Sequence, residues 1–355
     1  MKKYWNRVLA ALAAATMLMA LSACGGNSGS GGSGGSGGGG SAPAGGGDGG
    51  DASAEQKTMA IMMHSVADEF IYSVGKKAQE YAESEGYAVT FYNADNVADT
   101  QASQINDVLA LGVDCIILAP VDADALSDSV AVINEKGVPV TLIDRTVTEG
   151  KFVSVNQADN VQCGYQGATA LVEQAKAQGI EVGDLKVLEL MGDLASTSGL
   201  ERSQGFQQAA EDLGFEIVSS LPTYWQSDTA YNDTLDAFQA DPSINAIYCA
   251  SDGVMADSVI NALDQMQLLK NKGEAGHIII TTVDGTPGVI KYIKDGQIDA
   301  ACAQPAFQMA TDAVDYLTRA LAGEEKVDGC INNALAPVII TSENADSSEH
   351  WGNNV

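Results

Sequence analysis

The chain has 355 residues, 45% of them hydrophobic, and a formal charge of −29 at pH 7. Such acidity repels nucleic acid and anionic membrane surfaces, so neither is expected as a partner. Beyond a glycine-rich start, about 300 residues remain, enough for two lobes with a core each.

Lys2, Lys3 and Arg7 open the chain, and Val8–Ala20 is an apolar run too short for a comfortable membrane span. Leu21-Ser22-Ala23-Cys24, followed by two glycines, resembles a bacterial lipobox. That resemblance implies that residues 1–23 are a cleaved lipoprotein signal and that Cys24 carries a lipid. The chain would then be anchored at the extracellular face of the cell membrane. Ordinary secretory cleavage with Cys24 incidental is the alternative. Residues 25–50 hold sixteen of the 38 glycines, so residues 24–57 read as a flexible Gly/Ser tether. Its Gly-x-Gly-x-x-Gly matches have no flanking strand or helix and carry no weight.

From Thr58 onward strands and helices alternate. Thr58–His64 reads as a strand, Phe70–Glu85 as an amphipathic helix, Tyr87–Tyr92 as a strand, Thr100–Leu111 as a helix and Val113–Ala119 as a strand. Ala123–Lys136 follows as a helix and Val138–Ile143 as a strand ending on Asp144-Arg145. Gly86, Gly112 and Gly137 stand where helices should stop. A second series repeats the pattern. Its strands are Leu185–Leu190, Phe215–Ser220, Ile244–Ala250, Ile278–Val283 and Ile298–Ala303, with Val338–Thr341 last. Its helices are Asn160–Gln178, Leu200–Leu213, Asp228–Gln239, Met255–Leu269, Val289–Lys294 and Phe307–Ala322. Two α/β lobes, each a doubly wound parallel sheet, are the expected architecture.

The polar residues of interest fall just after strands, where open α/β sheets bind ligands. They are His64, Asp68 and Phe70; Asp144 and Arg145; Arg202; Trp225; Asp252; Asp284; and Gln304. Each has a plainer reading: Phe70 as core, Arg202 as a helix ion pair, Asp68 or Asp252 as a helix cap, His64 as a polar strand end. Gathered in one cleft, aromatics with a rim of Asp, Arg and Gln suit a pyranose. Its C–H faces stack on rings and its hydroxyls both donate and accept. The excess of carboxylates disfavours an anionic ligand.

Besides Cys24 there are five cysteines at irregular spacing, which is no disulfide framework. Cys115, Cys249 and Cys302 sit in apolar runs, and a single Cys302–Cys330 bridge is left open. Three scattered histidines and no Cys-x-x-Cys argue against zinc, and no cofactor is expected.

From Thr58 to about Ser342 the order of motifs resembles the type I periplasmic binding proteins of the ribose/galactose-binding family. The motifs are Asp68-Glu69-Phe70, Leu142-Ile143-Asp144-Arg145, Glu201-Arg202-Ser203-Gln204-Gly205-Phe206, Trp225, Ser251-Asp252-Gly253-Val254-Met255-Ala256, Asp284-Gly285-Thr286-Pro287 and Gln304. The resemblance implies a monomeric receptor that captures a monosaccharide by hinge closure and hands it to an ABC transporter permease. Phe70 and Trp225 would sandwich the ring. Asp68, Asp144, Arg145, Arg202, Asp284 and Gln304 would hold its hydroxyls. Asp252 stands where the family often has Asn, and His64 would add selectivity. Asp68-Glu69-Phe70 is closer to the galactose/glucose pattern, Asp284-Gly285-Thr286-Pro287 with Gln304 to the ribose one. No calcium loop is evident, Gly179–Leu185 being too short. The N-terminal lobe would comprise residues 58–157 and 305–334, the C-terminal lobe 158–304 and 335–346, with 347–355 a tail.

A sensor receptor for chemotaxis or a two-component system shares this binding logic and is the alternative. A carbohydrate-acting enzyme is more remote. Asp144 and Asp284 could form an acid–base pair, but no nucleophile, phosphate or metalloprotease motif accompanies them. A sugar-responsive repressor would need a helix-turn-helix where this chain has a tether.

Overall fold

The computed structural model describes residues 56–355. The signal, Cys24 and most of the tether lie outside the described residues.

The first lobe is built from β1 (Thr58–Met63), α1 (Glu69–Ser84), β2 (Ala88–Asn93), α2 (Ala98–Leu111), β3 (Cys115–Leu118), α3 (Ser127–Glu135), β4 (Val140–Ile143) and β5 (Ser154–Ala158). The chain then crosses into the second lobe. There it forms α4 (Asn160–Ala177), β6 (Lys186–Met191), α5 (Thr197–Leu213), β7 (Glu216–Pro222), α6 (Ser227–Ala240), β8 (Ala246–Cys249), α7 (Asp252–Gln265), β9 (Ile279–Asp284), α8 (Pro287–Asp295) and β10 (Ala300–Ala303). It returns for α9 (Ala306–Leu321) and β11 (Ile331–Leu335), and crosses once more into β12 (Val338–Thr341). The sheet orders are β11-β5-β4-β3-β1-β2 and β12-β10-β9-β8-β6-β7, parallel except for β12 against β10. This is the expected doubly wound architecture, twice over.

Apolar runs place the central strands. Cys115-Ile116-Ile117-Leu118 is buried on both faces, as a parallel strand covered by helices must be. Packed against the first sheet are Phe70, Val74 and Ala78 of α1 on one side and Ile105 and Val130 on the other. Gly112 and Gly214 end α2 and α5 in the left-handed conformation, at φ 79° and 84°, a backbone state that costs a residue with a Cβ.

The structure corrects the sequence reading in several places. α3 starts at Ser127, not Ala123, because the Asp122 carboxylate accepts from the Asp124 and Ala125 N–H groups and holds a turn there. β5 and β11 are strands the sequence reading did not foresee. Residues 347–355 are no loose tail: Trp351 is 4% exposed and packs among Phe70 and Phe307. Cys302 is buried and Cys330 exposed, and both are free thiols, so the bridge left open between them is not formed.

Two of the three crossings are tied to each other by Asp159 N–H to Leu335 O at 2.8 Å, and the third leaves the end of β10, where Gln304 N–H bonds to Asp284 O at 3.1 Å. At the far rim the lobes touch through Ala123 N–H to Ala195 O at 3.3 Å and Thr146 N–H to the Thr197 hydroxyl at 3.2 Å. The lobes are therefore closed on one another.

Candidate binding cleft between the lobes

Eight of the ten candidate residues line one cleft: Asp68, Phe70, Asp144, Arg145, Arg202, Trp225, Asp284 and Gln304. Their positions follow from the strand ends. β4 runs out at Ile143, and Asp144 then takes a left-handed φ of 66°. β9 ends at Asp284 itself, with φ 123°. Both conformations are strained for a residue with a Cβ, and such strain gathers at ligand sites. Each lobe thus presents one strained aspartate from a strand end, and each aspartate pairs with an arginine.

In the first lobe Arg145 Nε donates to Asp144 Oδ2 at 3.2 Å, and His64 Nε2 stands 3.8 Å from the same oxygen. Burial works to raise the Asp144 carboxyl, but His64, Arg145 and Arg202 outweigh it and hold it below its usual range. Asp144 is therefore an ionised acceptor with capacity left for a ligand hydroxyl.

In the second lobe Arg202 Nη1 donates to Asp284 Oδ1 at 3.3 Å and to Ala250 O at 2.7 Å, while its Nε donates to Asn160 Oδ1 at 2.9 Å. Asp284 also accepts from Gln304 Nε2 at 2.7 Å, the Ser251 hydroxyl at 2.5 Å and Gly253 N–H at 3.4 Å. Four protein donors nearly saturate one carboxylate. Asp284 thus organises Arg202, Gln304 and Ser251 as much as it offers itself to a ligand. The Gln304 side-chain oxygen, Oε1, is buried with no partner and remains an acceptor.

Trp225 forms the wall between the arginines, which lie over its ring at 5.4 Å (Arg145) and 5.9 Å (Arg202). Its Nε1 donates to the Ser196 hydroxyl at 3.1 Å. The ring rests directly on Gly192, where a Cβ would lie 2.1 Å from it. Opposite, Phe70 is both core and cleft lining.

The plainer readings also hold. Asp68 caps α1, accepting from Phe70 N–H at 2.9 Å, and still faces the cleft. Burial, then the charges of Asp284 and Asp144, push its carboxyl up to about 7. Near neutral pH it can therefore donate as well as accept.

Two candidates stand elsewhere. The Asp252 carboxylate turns away from the cleft, accepting from the Thr282 hydroxyl at 3.0 Å, Gly285 N–H at 2.9 Å and Thr286 N–H at 3.1 Å. It fixes the loop that carries Asp284. His64 lines a small adjoining cavity with Asp68 and Trp225. Burial, then Arg145, lower its pKa against the opposing pull of Asp144, and its Nδ1 lies 3.1 Å from Asn96 Oδ1. Ile71, Ser198 and Ser251 also line the cleft. Ser251 was legible as a strand-end residue, whereas nothing in the local pattern marks Ile71 or Ser198.

The cleft thus holds three carboxylates, two guanidiniums, an amide and two aromatic walls. No cluster of metal ligands occurs among the described residues. Its free volume is about 10 Å³, too little for a sugar ring, so entry requires the lobes to part.

Comparison with known proteins agrees with this architecture. The ribose import binding protein of Salmonella typhimurium is 27% identical over 268 residues, covering 76% of this chain and 86% of that protein. Its Bacillus subtilis counterpart is 27% identical over 261 residues, covering 73% and 80%. The crystal structure of a Caulobacter myo-inositol binding protein bound to myo-inositol superposes with a TM-score of 0.75 at 22% identity, over 85% of this chain and 98% of that one. A periplasmic binding protein domain model matches residues 59–325. With two wound lobes, three crossings and a polar cleft between them, this chain belongs to the periplasmic binding protein family, a family of receptors and not of enzymes.

Proposed function

We propose that the chain is the solute receptor of an ABC transporter, that it captures a monosaccharide or cyclic polyol between its lobes, and that a lipid on Cys24 keeps it at the extracellular face of the cell membrane. The observation that carries the ligand class is the cleft's mixed inventory. Asp144 and Gln304 Oε1 accept, Arg145 and Arg202 donate, Asp68 can do either, and Trp225 with Phe70 supplies apolar faces. A ring whose hydroxyls alternate as donor and acceptor uses all of these, whereas an anion would meet three carboxylates. The names of the relatives, one importing ribose and one binding myo-inositol, support the same class. Galactose- or glucose-like and ribose-like pyranoses are the sugars to try first.

The test is a thermal-shift screen of the soluble chain from Lys57 with D-ribose, D-galactose, D-glucose and myo-inositol. A binder raises the melting temperature with concentration by mass action. Trp225→Ala and Asp144→Ala should abolish that shift while leaving a folded protein. If no sugar or polyol moves the transition, the proposed ligand class is wrong. Metabolic palmitate labelling of the full chain, lost in Cys24→Ala, tests the anchor.

A further inference from the structure

The segment after β12 forms a compact coil. His350 N–H bonds to Ser347 O at 3.3 Å, Asn354 N–H to Trp351 O at 2.8 Å, and Asn353 Nδ2 to Ala345 O at 2.9 Å. This coil is pressed on the second lobe. A Cβ at Gly352 would lie 2.4 Å from Gly285 O and 2.9 Å from the Ile290 side chain, so only glycine fits there. Lys294 Nζ holds Asp346 at 2.7 Å. Trp351 Nε1 donates to Asp284 O at 2.9 Å, a buried bond to the main chain of a cleft residue. Yet the Trp351 ring lies in the first lobe's core, edge-on to Phe70 with centroids 5.7 Å apart and tilted against Phe307 at 6.3 Å.

One side chain is therefore anchored by its N–H to the second lobe and by its ring to the first. Phe70 and Asp284, its two partners, are both cleft residues. Any lobe motion that separates the aromatic pocket from the Asp284 carbonyl costs Trp351 one of these two anchors. In the closed form it keeps both, so its interaction energy differs between the two states, which is what shifts a conformational equilibrium.

We infer that Trp351 is a positioning residue: a latch behind the cleft that favours the closed form and sets Phe70 and Asp284 for the ligand without touching it. This rests on the receptor reading above, and the test separates the two.

The experiment compares wild type, Trp351→Phe and Trp351→Ala, each as the chain from Lys57. Small-angle scattering without ligand reads lobe separation. Calorimetry reads affinity for whichever of the four sugars and polyols above raises the wild-type melting temperature. Trp351→Phe keeps the ring and loses the N–H, and should bind about fivefold more weakly. Trp351→Ala loses both anchors, and should bind tenfold more weakly or worse and scatter as a wider ligand-free particle. A wider particle or a weaker complex supports the latch. A folded Trp351→Ala whose radius of gyration and affinity both match wild type overturns it, even with a lower melting temperature, for that is the behaviour of a core filler. Should Trp351→Ala fail to fold, a Trp351→Phe variant indistinguishable from wild type overturns it. If no probe binds wild type, the sugar reading fails, and the ligand-free scattering still decides the latch.

Discussion

Gly192→Ala gives the sharpest reading of how the cleft is shaped. Gly192 follows β6, and its α-carbon is the floor under the Trp225 ring. A Cβ there would stand 2.1, 2.2 and 2.6 Å from three ring carbons. Ordinary contact is about 3.5–4.0 Å, so the ring must retreat by roughly 1.5 Å. The ring borders both the cleft and the adjoining His64 cavity, so its retreat takes room from the space between the lobes. That shift also stretches the 3.1 Å bond from Nε1 to Ser196. Without ligand the ring moves into space that opens as the lobes part, so the folded state loses little. With ligand that space is contested. Overpacking of this kind costs about 1–3 kcal/mol, and the lost hydrogen bond about 1 kcal/mol. A net loss of about 2 kcal/mol in binding is about thirtyfold in Kd. Calorimetric titration with the sugar identified in the screen measures it, and urea unfolding checks the fold. Wild-type affinity in a folded Gly192→Ala protein would refute the claim that this wall sets the room for the ligand.

Asp284→Ala strips the buried Arg202 of its counter-ion and frees Gln304 and Ser251. We expect a stability loss of about 3 kcal/mol by urea titration together with loss of sugar binding. Asp68 titrates near 7 in the fold, well above an unfolded aspartate. The folded state therefore holds the extra proton, and stability falls as pH rises from about 4 through about 7. Asp68→Asn keeps the α1 cap and should melt higher than wild type at pH 8 but not at pH 4. In the second lobe, the ring nitrogens of His277 face Lys270 O at 2.7 Å and Asp299 Oδ2 at 2.9 Å, a pair that only the imidazolium satisfies fully. Burial works to lower its pKa, but the hydrogen bond and charge of Asp299 outweigh it. Its stabilisation is complete below the unfolded pKa and is lost as pH rises through the raised folded value. His277→Gln should flatten that part of the stability–pH curve.

What was legible in the sequence is what hydrophobic periodicity and helix caps encode. The apolar strands β1, β3, β4, β6, β8 and β9 and the glycine-ended helices α1, α2 and α5 stood out because burial dictated their composition. β5 and β11 did not, for a specific reason. Ser154, Asn156 and Gln157 of β5 are buried, yet their side chains are amides and a hydroxyl. Their partners are other side chains: Asn333 Nδ2 donates to Asn156 Oδ1 at 3.0 Å, Asn156 Nδ2 to the Ser154 hydroxyl at 2.9 Å and Gln157 Nε2 to Asn332 Oδ1 at 3.3 Å. A ladder of paired amides buries a strand without an apolar run, and no local pattern reveals it. The cleft residues were legible because strand ends are. The direction of each side chain was not. Asp252 and Asp284 both stand at strand ends, but Asp252 is drawn backward by the N–H groups of Gly285 and Thr286. The role of Trp351 was hidden because its partners Phe70 and Asp284 lie far away in sequence.

The pairing of β5 with β11 carries a consequence for how the molecule is made. Asn156 and Asn333 are neighbours across the sheet but 177 residues apart in the chain. The first lobe is therefore not a unit that can finish before the second is synthesised. Until β11 arrives, β5 presents an unpaired edge, and the core face that α9 covers stands open. Contacts so distant in sequence are formed late and slowly. The two lobes must mature together, and a ribosome-stalled or clipped chain lacking its last quarter would be a sticky half-sheet rather than a smaller receptor.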